Sequence, residues 1–476
     1  MMRKTQIRLF TVCLILLGGL TGFAQQNLSN RGKEFWVGYG HHQFMEPGQN
    51  NSQEMVLYFS AEQTANVTVT VKGRTATQVT NYVVPAGSVI PSAYMPKAGA
   101  LDCRLYDVPP TFGGNGGEGL FNMSIHIESD VPIVAYSHTF GSASSGATML
   151  MPVETYGYAY VSLNSRQQYA NNCFSWAYVI ATHDNTVVQI TPSVQTRLNK
   201  PAGTPFNITL NKGQIFQVIG ANPTNGANAL EVSGTKFKSV ANASGDCYPI
   251  AVFAGSSRTS NPVACGSGGG DNDNQQCFPT QAWGKRYLTA PTSRSTNANQ
   301  FMTNSYKVLV KDPTTVVTRN GVPLTGLQQN SYYFFESNTA DLIQADKPVM
   351  VAQFMTGGAC LGGGLGDPEM IYLSPVEQGI KRVGFYRNTR ESIQVNYLTL
   401  IIPNNGVPSL RIDGSATFDH TYPHPQAAGY TIVVKRWIAA QAQAIAFSDS
   451  AFTAITYGLG SVESYGYNAG TLINNL

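Results

Sequence analysis

The sequence carries little charge. Asp, Glu, Lys and Arg make up 12% of the 476 residues, about half of the roughly 25% found in typical soluble domains. The 30 basic and 27 acidic residues leave a net charge of +3, without the basic stripe that neutralises nucleic-acid phosphates. These values exclude a nucleic-acid-binding protein. The 11% of aromatic residues also excludes a disordered chain.

Long hydrophobic runs are absent as well, so the sequence predicts no transmembrane helix, which needs about 20 apolar residues. The one apolar stretch, Leu9–Leu20, follows three basic residues and precedes the small-residue segment Gly22–Ala24. This order is typical of a Sec-type signal peptide over residues 1–24. We therefore expect a protein that is secreted or held on the outer cell surface. Because the three basic residues lie in the signal, the processed chain has 27 basic and 27 acidic residues and no net charge.

Amphipathic helical patterns are missing too, whereas period-2 alternation of Val, Ile, Thr and Tyr between Gly, Pro, Asn and Asp turns is frequent. This alternation is typical of half-buried antiparallel strands. Four strand-like runs, rich in apolar and aromatic residues, predict a strand near the start of each quarter of the chain: Glu54–Phe59, Trp176–Ala181, Tyr306–Val310 and Tyr397–Ile402. Each quarter is expected to end in a buried strand pair, as in Met123–Tyr136.

One short phrase recurs along the chain, and a fixed recurrence indicates a repeat architecture. It occurs four times, at Pro152–Gly157, Pro279–Gly284, Pro375–Ile380 and Ser461–Gly466, and Arg31–Phe35 resembles its second half. After a lead-in over 25–31, the phrases divide the chain into four units: 32–156, 157–283, 284–379 and 380–476. We predict an all-β fold of four tandem antiparallel β-sandwich-like repeats, either in line or closed into a propeller-like ring.

The segments GKEFWVGYG, DVPIVAYSH, YPIAVFAGS, PTQAWGKRY and KPVMVAQF occur in this order. Together they resemble the N-terminal domain family of IgGFc-binding protein, over about residues 31–470. The resemblance implies an extracellular, non-catalytic role in binding or adhesion, and related domains occur in secreted proteins of Bacteroidota-type bacteria. Binding of immunoglobulin Fc is associated with the mammalian namesake of the family.

Six cysteines lie outside the signal, and none forms a CxxC pair or a cluster with zinc-ligand spacing. An oxidising compartment favours disulfides between them. Cys265 and Cys277 bracket a short Gly/Asn/Asp segment and are the first candidate pair. The remaining connectivity stays open, because six cysteines allow 15 arrangements.

The segment Gly266–Asn274 is the one candidate metal site. Asp271 and Asp273 alternate with asparagines after a glycine run, and calcium takes six to eight oxygen ligands. The same composition is also typical of a plain solvated turn. No other cofactor is predicted.

The third position of the recurring phrase holds Glu154, Gln281, Glu377 and Glu463. Carboxylates at this position are candidates for acid and base groups if they face one cleft, or for side chains that bind turn N–H groups. The aromatic residues Trp283, Tyr465 and Tyr467 either stack on sugars or fill the core.

The leading functional hypothesis is a non-enzymatic surface protein that binds an extracellular protein or glycan. The alternatives are a secreted carbohydrate-active enzyme that uses Glu154, Glu377 or Glu463, and a structural module of a larger surface assembly. The sequence leaves the oligomeric state open.

Overall fold

The computed structural model describes residues 30–141, 143–260, 270–329, 331–361, 364–390, 392–438 and 442–473. The predicted signal lies outside these residues. Within them the protein is all-β, and its helices are short 3-10 turns. None of the helices in this part of the chain has the length and apolarity needed to cross a membrane. The strands form six antiparallel sheets, and we describe them by the four units defined above.

Unit 1 contains eight strands: β1 Gly32–Val37, β2 Glu54–Ala61, β3 Ala65–Lys72, β4 Thr77–Val84, β5 Ser88–Pro91, β6 Gly119–Phe121, β7 Ser124–Phe140 and β8 Ser145–Leu150. The first half of β7 pairs with β1 and β3, and its second half pairs with β2 and β8. Strand β7 therefore belongs to both layers of a two-layer sandwich. β6 leaves the unit and pairs with a strand of unit 2.

Unit 2 also contains eight strands: β9 Ala159–Val161, β10 Ser175–Ala181, β11 Thr186–Thr191, β12 Phe206–Leu210, β13 Ile215–Ile219, β14 Lys236–Val240, β15 Ile250–Thr259 and β16 Asp271–Gln276. They form a sheet in the order β12-β11-β14-β9 and a second in the order β16-β15-β10-β13-β6. Unit 2 has no long strand like β7 that belongs to both sheets, because its β14 and β15 are separate strands in separate sheets.

Unit 3 comprises β17 Gly284–Leu288, β18 Ser293–Arg294, β19 Asn297–Phe301, β20 Asn304–Val310, β21 Val317–Arg319, β22 Val322–Pro323, β23 Tyr332–Ser337, β24 Leu342–Met355 and β25 Glu369–Tyr372. Unit 4 comprises β26 Ile380–Arg387, β27 Ile393–Pro403, β28 Arg411–Ile412, β29 His420–Pro423, β30 Tyr430–Ile438, β31 Ala442–Gly460 and β32 Glu463–Asn468. The long strands β24 and β31 each pair with strands on both sides of a sandwich, as β7 does.

The strand predicted near the start of each unit is confirmed, in β2, β10, β20 and β27. The expected pair of closing strands is wrong for units 1, 3 and 4, where one long strand passes from one sheet to the other. Pro132 and Pro348 lie at this crossing in β7 and β24, between the segments that pair with the two sheets. Proline has no N–H to give to a ladder, so the crossing is where a strand tolerates it.

Of the two predicted arrangements, the propeller-like ring is not found among the described residues, whose strands form six separate antiparallel sheets. Neighbouring units share cores instead. One apolar cluster joins units 1 and 2 and extends into unit 3 through Leu309, Phe354 and Tyr372. A second joins units 3 and 4, and a third joins units 1 and 4 through Tyr58, Tyr136, Phe385 and Tyr467. Unit 4 therefore packs against unit 1 as well as against unit 3.

The recurring phrase fastens the end of a unit to its beginning. It forms 3-10 turns, which we call the closing turns, at Val153–Thr155, Thr280–Ala282 and Val376–Gln378. The proline before each turn and the Glu or Gln within it pack on the glycine that starts the same unit, which is Gly32, Gly157 or Gly284. These glycines leave no room for a side chain.

We predict that Gly284→Ala destabilises the protein by about 1–3 kcal/mol, the usual cost of overpacking. The new Cβ would lie 2.8 Å from Glu377 Oε2 and closer still to the Pro375 ring. Urea unfolding would measure the change. Gly226→Ala is the control, because its Cβ would meet only the Thr224 hydroxyl, at 3.3 Å. Equal midpoints for the two variants would contradict the packing role of Gly284.

Candidate functional site

The last strands of the four units, β8, β16, β25 and β32, meet at the centre of the molecule around one side chain. The amide nitrogen of Gln275 donates to the carbonyl oxygens of Ala147 at 3.0 Å, Met370 at 2.8 Å and Gly466 at 3.1 Å. These acceptors lie on β8, β25 and β32, and Gln275 lies on β16. One buried amide therefore connects all four units.

Five buried carboxyl groups surround this point, and we call them the acidic centre: Asp271, Asp273, Asp367, Glu369 and Glu463. Asp271 accepts from the backbone N–H of Ser145, and Asp273 accepts from the Ser165 hydroxyl. Glu369 accepts from the N–H of Met370 at 2.8 Å. One oxygen of Asp271 and one of Asp273 are buried and have no hydrogen-bond partner among the residues that the structure describes.

Burial raises the pKa of four of these groups. It raises the pKa of Asp273 to about 7. The pKa of Asp271 is raised well above its ordinary value, first by burial and then by the nearby charges of Asp367, Glu463 and Glu369. Burial also raises the pKa of Asp367 and of Glu369, and Asp273 adds to the effect on Glu369. Protonation removes the charges of the carboxyl groups, and with them the desolvation penalty and the repulsion between neighbours in a low-dielectric interior.

The nearby cations have other partners. Lys307 is 2% exposed, and its Nζ donates to Glu231 Oε1 at 2.5 Å and to the Asn164 carbonyl at 2.6 Å. Arg258 Nε donates to the Gly270 carbonyl at 2.7 Å. Lys307 lowers the pKa of Asp273 and Arg258 lowers that of Asp367, but burial has the larger effect on both carboxyl groups and raises their pKa.

The calcium candidates Asp271 and Asp273 lie in β16 and are buried, so the interpretation of their segment as a solvated turn is wrong for Asp271–Asn274. Residues 261–269, which include the glycine run, lie outside the described residues. Across the described ranges, no three or more His, Cys, Asp and Glu side chains are spaced to hold a metal ion. Calcium binding at Asp271 and Asp273 stays a prediction without supporting geometry.

The expected full set of disulfides is wrong. Four of the six cysteines outside the signal are free thiols, namely Cys103, Cys173, Cys247 and Cys277. Cys277 is enclosed in the core, 3.7 Å from the Tyr372 hydroxyl, and burial raises its pKa to about 12. Its predicted partner Cys265 lies outside the described residues. A thiol this protonated is a poor nucleophile for disulfide exchange.

The repeated-phrase carboxylates divide into two groups. Glu154 and Glu377 lie in separate closing turns, and Glu377 Oε1 accepts from the Lys285 N–H at 3.1 Å. Glu463 lies instead in β32 and is buried in the acidic centre. The alignment of Ser461–Gly466 with the closing turns is therefore wrong, because this segment matches the strand that precedes a turn.

The aromatic candidates for sugar stacking are core residues. Trp283, Tyr465 and Tyr467 are 5%, 0% and 1% exposed, and the hydroxyls of both tyrosines are hydrogen-bonded inside unit 4. None of the three presents a ring face to solvent.

Sequence reasoning missed Gln275, Asp367 and Glu369 as members of one site. The segment Asp271–Gln276 has no apolar residue, so it lacks the usual pattern of a buried strand. One signal was available: the segment precedes Pro279 much as the apolar strand β8 precedes Pro152.

The chain was compared with known proteins. The family model described as IgGFc binding protein matches residues 146–458, which is more than half of the chain. The chain belongs to the IgGFc-binding protein family. No curated protein matches it. One solved structure, described as the crystal structure of a tetra-tandem repeat in the extending region of a large adhesion protein, is 10% identical with a TM-score of 0.09. The match covers 87% of this chain and 93% of that one, and a TM-score this low carries no argument.

We predict that Gln275→Met destabilises the protein by about 1–3 kcal/mol, the cost of leaving buried acceptors without donors. Methionine keeps the approximate volume but cannot donate to the three carbonyls. Urea unfolding at neutral pH would measure the loss. Gln189→Met on β11 is the control, because the Gln189 amide makes only one long contact, at 3.4 Å to Asn207. An unchanged midpoint for Gln275→Met would show that the amide does not hold the units together.

We also predict that Asp273→Asn becomes more stable relative to the wild type as pH rises. The folded pKa of Asp273 is about 7, against an ordinary value of 3.8, so the unfolded chain loses this proton first. Between these values the wild type loses up to about 1.4 kcal/mol per pH unit, and above pH 7 the loss levels off. Asp273→Asn has no carboxyl group to ionise at this position, so it does not lose this stability as pH rises.

The measurement is the difference in unfolding free energy between variant and wild type at pH 4.5, 6 and 8. Buried His42 and His138, whose pKa values burial lowers to about 3, act in the opposite direction below about pH 6.5. Their effect cancels in the difference because both proteins contain them. Gln189→Met, which removes no titratable group, should give a flat difference. A flat difference for Asp273→Asn would mean that Asp273 is ionised in the folded protein.

Proposed function

We propose that the protein is an extracellular, non-catalytic binding or adhesion protein that recognises a protein or glycan ligand. The observation that carries the proposal is membership of the IgGFc-binding family over residues 146–458. The predicted signal peptide over 1–24 supports export to the outer cell surface or beyond.

The location of the acidic residues supports a non-catalytic role. Glu377 accepts a hydrogen bond from the backbone N–H of Lys285. Burial in the core raises the pKa values of Asp271, Asp273 and Glu369. A general acid or base must reach the substrate proton within hydrogen-bond distance. Fully buried groups between four packed units have no such access.

The composition supports recognition by shape and hydrogen bonding. The processed chain has no net charge, so long-range electrostatic attraction contributes little to encounter with a partner. Uncharged polar loops and aromatic side chains are the residue types that form such contact surfaces.

Binding of the processed chain, Gln25–Leu476, to immobilised probes tests the proposal. The probes are immunoglobulin Fc, the Fab of the same antibody as a matched control, mucin and a glycan array. We expect saturable binding to at least one of Fc, mucin or glycan and none to Fab. Absence of binding to every probe would contradict the proposal, and so would release of reducing sugar from a polysaccharide panel.

A further inference from the structure

A cavity of about 420 Å³ opens between units 3 and 4. Its volume is within the range of about 300–1,000 Å³ that is usual for small-ligand sites. Leu288 of β17 belongs to unit 3, whereas Ile401 and Phe452 of β27 and β31 belong to unit 4. These three side chains are 4%, 6% and 2% exposed and give the cavity an apolar floor.

One aromatic ring in the cavity lining is still partly open to solvent. Tyr430, at the start of β30, is half-buried. The guanidinium of Arg286 from unit 3 lies over the ring, 5.2 Å from its centroid. This cation–π contact holds the ring at the junction of the two units. A fixed, partly exposed ring is a stacking surface for the apolar face of a sugar.

Three polar side chains of the cavity lining have no hydrogen-bond or ion-pair partner among the described residues. Lys381, Asn405 and Asp449 line the cavity and are exposed. None of the three side chains forms a hydrogen bond or an ion pair within the described part of the chain. The ammonium group donates, the carboxylate accepts and the amide does both. The set can therefore receive a ligand that carries both donors and acceptors.

We propose that this cavity binds a neutral carbohydrate. The single positive charge of Lys381 and the single negative charge of Asp449 cancel, so the lining does not select a phosphate, a sulfate or another anion. An apolar floor, one ring and free polar groups at the rim match the alternating apolar faces and hydroxyl edges of a sugar. The inference rests on the proposed function, for which it names the ligand class and the site.

Binding of neutral oligosaccharides to the processed chain tests the inference. The probes are hexasaccharides of glucose, mannose and xylose, with a sulfated oligosaccharide for comparison, and isothermal titration calorimetry gives the dissociation constants. We expect at least one neutral probe to bind. Tyr430→Ala should raise its dissociation constant at least tenfold, and Asp449→Asn severalfold.

Two variants separate binding from folding. Tyr430→Phe keeps the ring and should retain binding, and it reports whether loss in Tyr430→Ala comes from the missing stacking surface. Tyr158→Ala removes a tyrosine of unit 2 that is 44% exposed and should leave the dissociation constant unchanged. Thermal unfolding of every variant checks that the fold is retained.

The outcomes distinguish this inference from the proposed function. Equal weakening by Tyr430→Ala and Tyr158→Ala, or no weakening by Tyr430→Ala, would overturn the cavity as the site. Binding of only the sulfated probe would overturn the ligand class. Failure of all neutral probes beside binding to Fc or mucin would overturn the inference and leave the proposed function standing.

Discussion

The hydrogen bonds of a single amide connect the four units of the structure. Gln275 faces three carbonyl oxygens from three other units, although its nitrogen carries only two N–H groups, so at least one is shared. Backbone carbonyls at the edge of a sheet need donors when they are buried. In this protein the donor comes from a side chain of the second unit, and the four sandwiches are joined by a polar contact at their centre as well as by shared apolar cores.

The acidic centre shows how a chain that is poor in charged residues can bury several acidic ones. A chain with only 12% charged residues places five of its acidic residues together in the buried acidic centre. Ionised carboxylates there would face a desolvation penalty and mutual repulsion. The raised pKa values of Asp271, Asp273, Asp367 and Glu369 show how the fold accommodates them, since a protonated carboxyl group is a small polar side chain that both donates and accepts.

Local patterns predicted the strands well and the centre poorly. Strand β2 follows from its run of apolar and aromatic residues, Glu54–Phe59, which favour strands. Asp271–Gln276 could not be predicted as a buried strand, because its burial depends on strands from other units and on protonation. The sequence predicts a pair of strands in Met123–Tyr136, where the structure has the single strand β7. The sequence does not reveal that the chain changes sheets at Pro132. Glu463 was grouped with the closing turns because the segment Ser461–Gly466 has a similar residue pattern, although Glu463 lies in strand β32.

The closing turns have a consequence for the order of folding. Gly32 begins unit 1, but Pro152 and Glu154, which pack on it, lie at the far end of the same unit. The same holds for Gly284 and Pro375. A growing or emerging chain therefore cannot complete a sandwich until that unit's last residues are available. The core that joins units 1 and 4 likewise needs residues of unit 4, so the amino-terminal unit keeps an exposed apolar face until the carboxy-terminal unit is available to cover it.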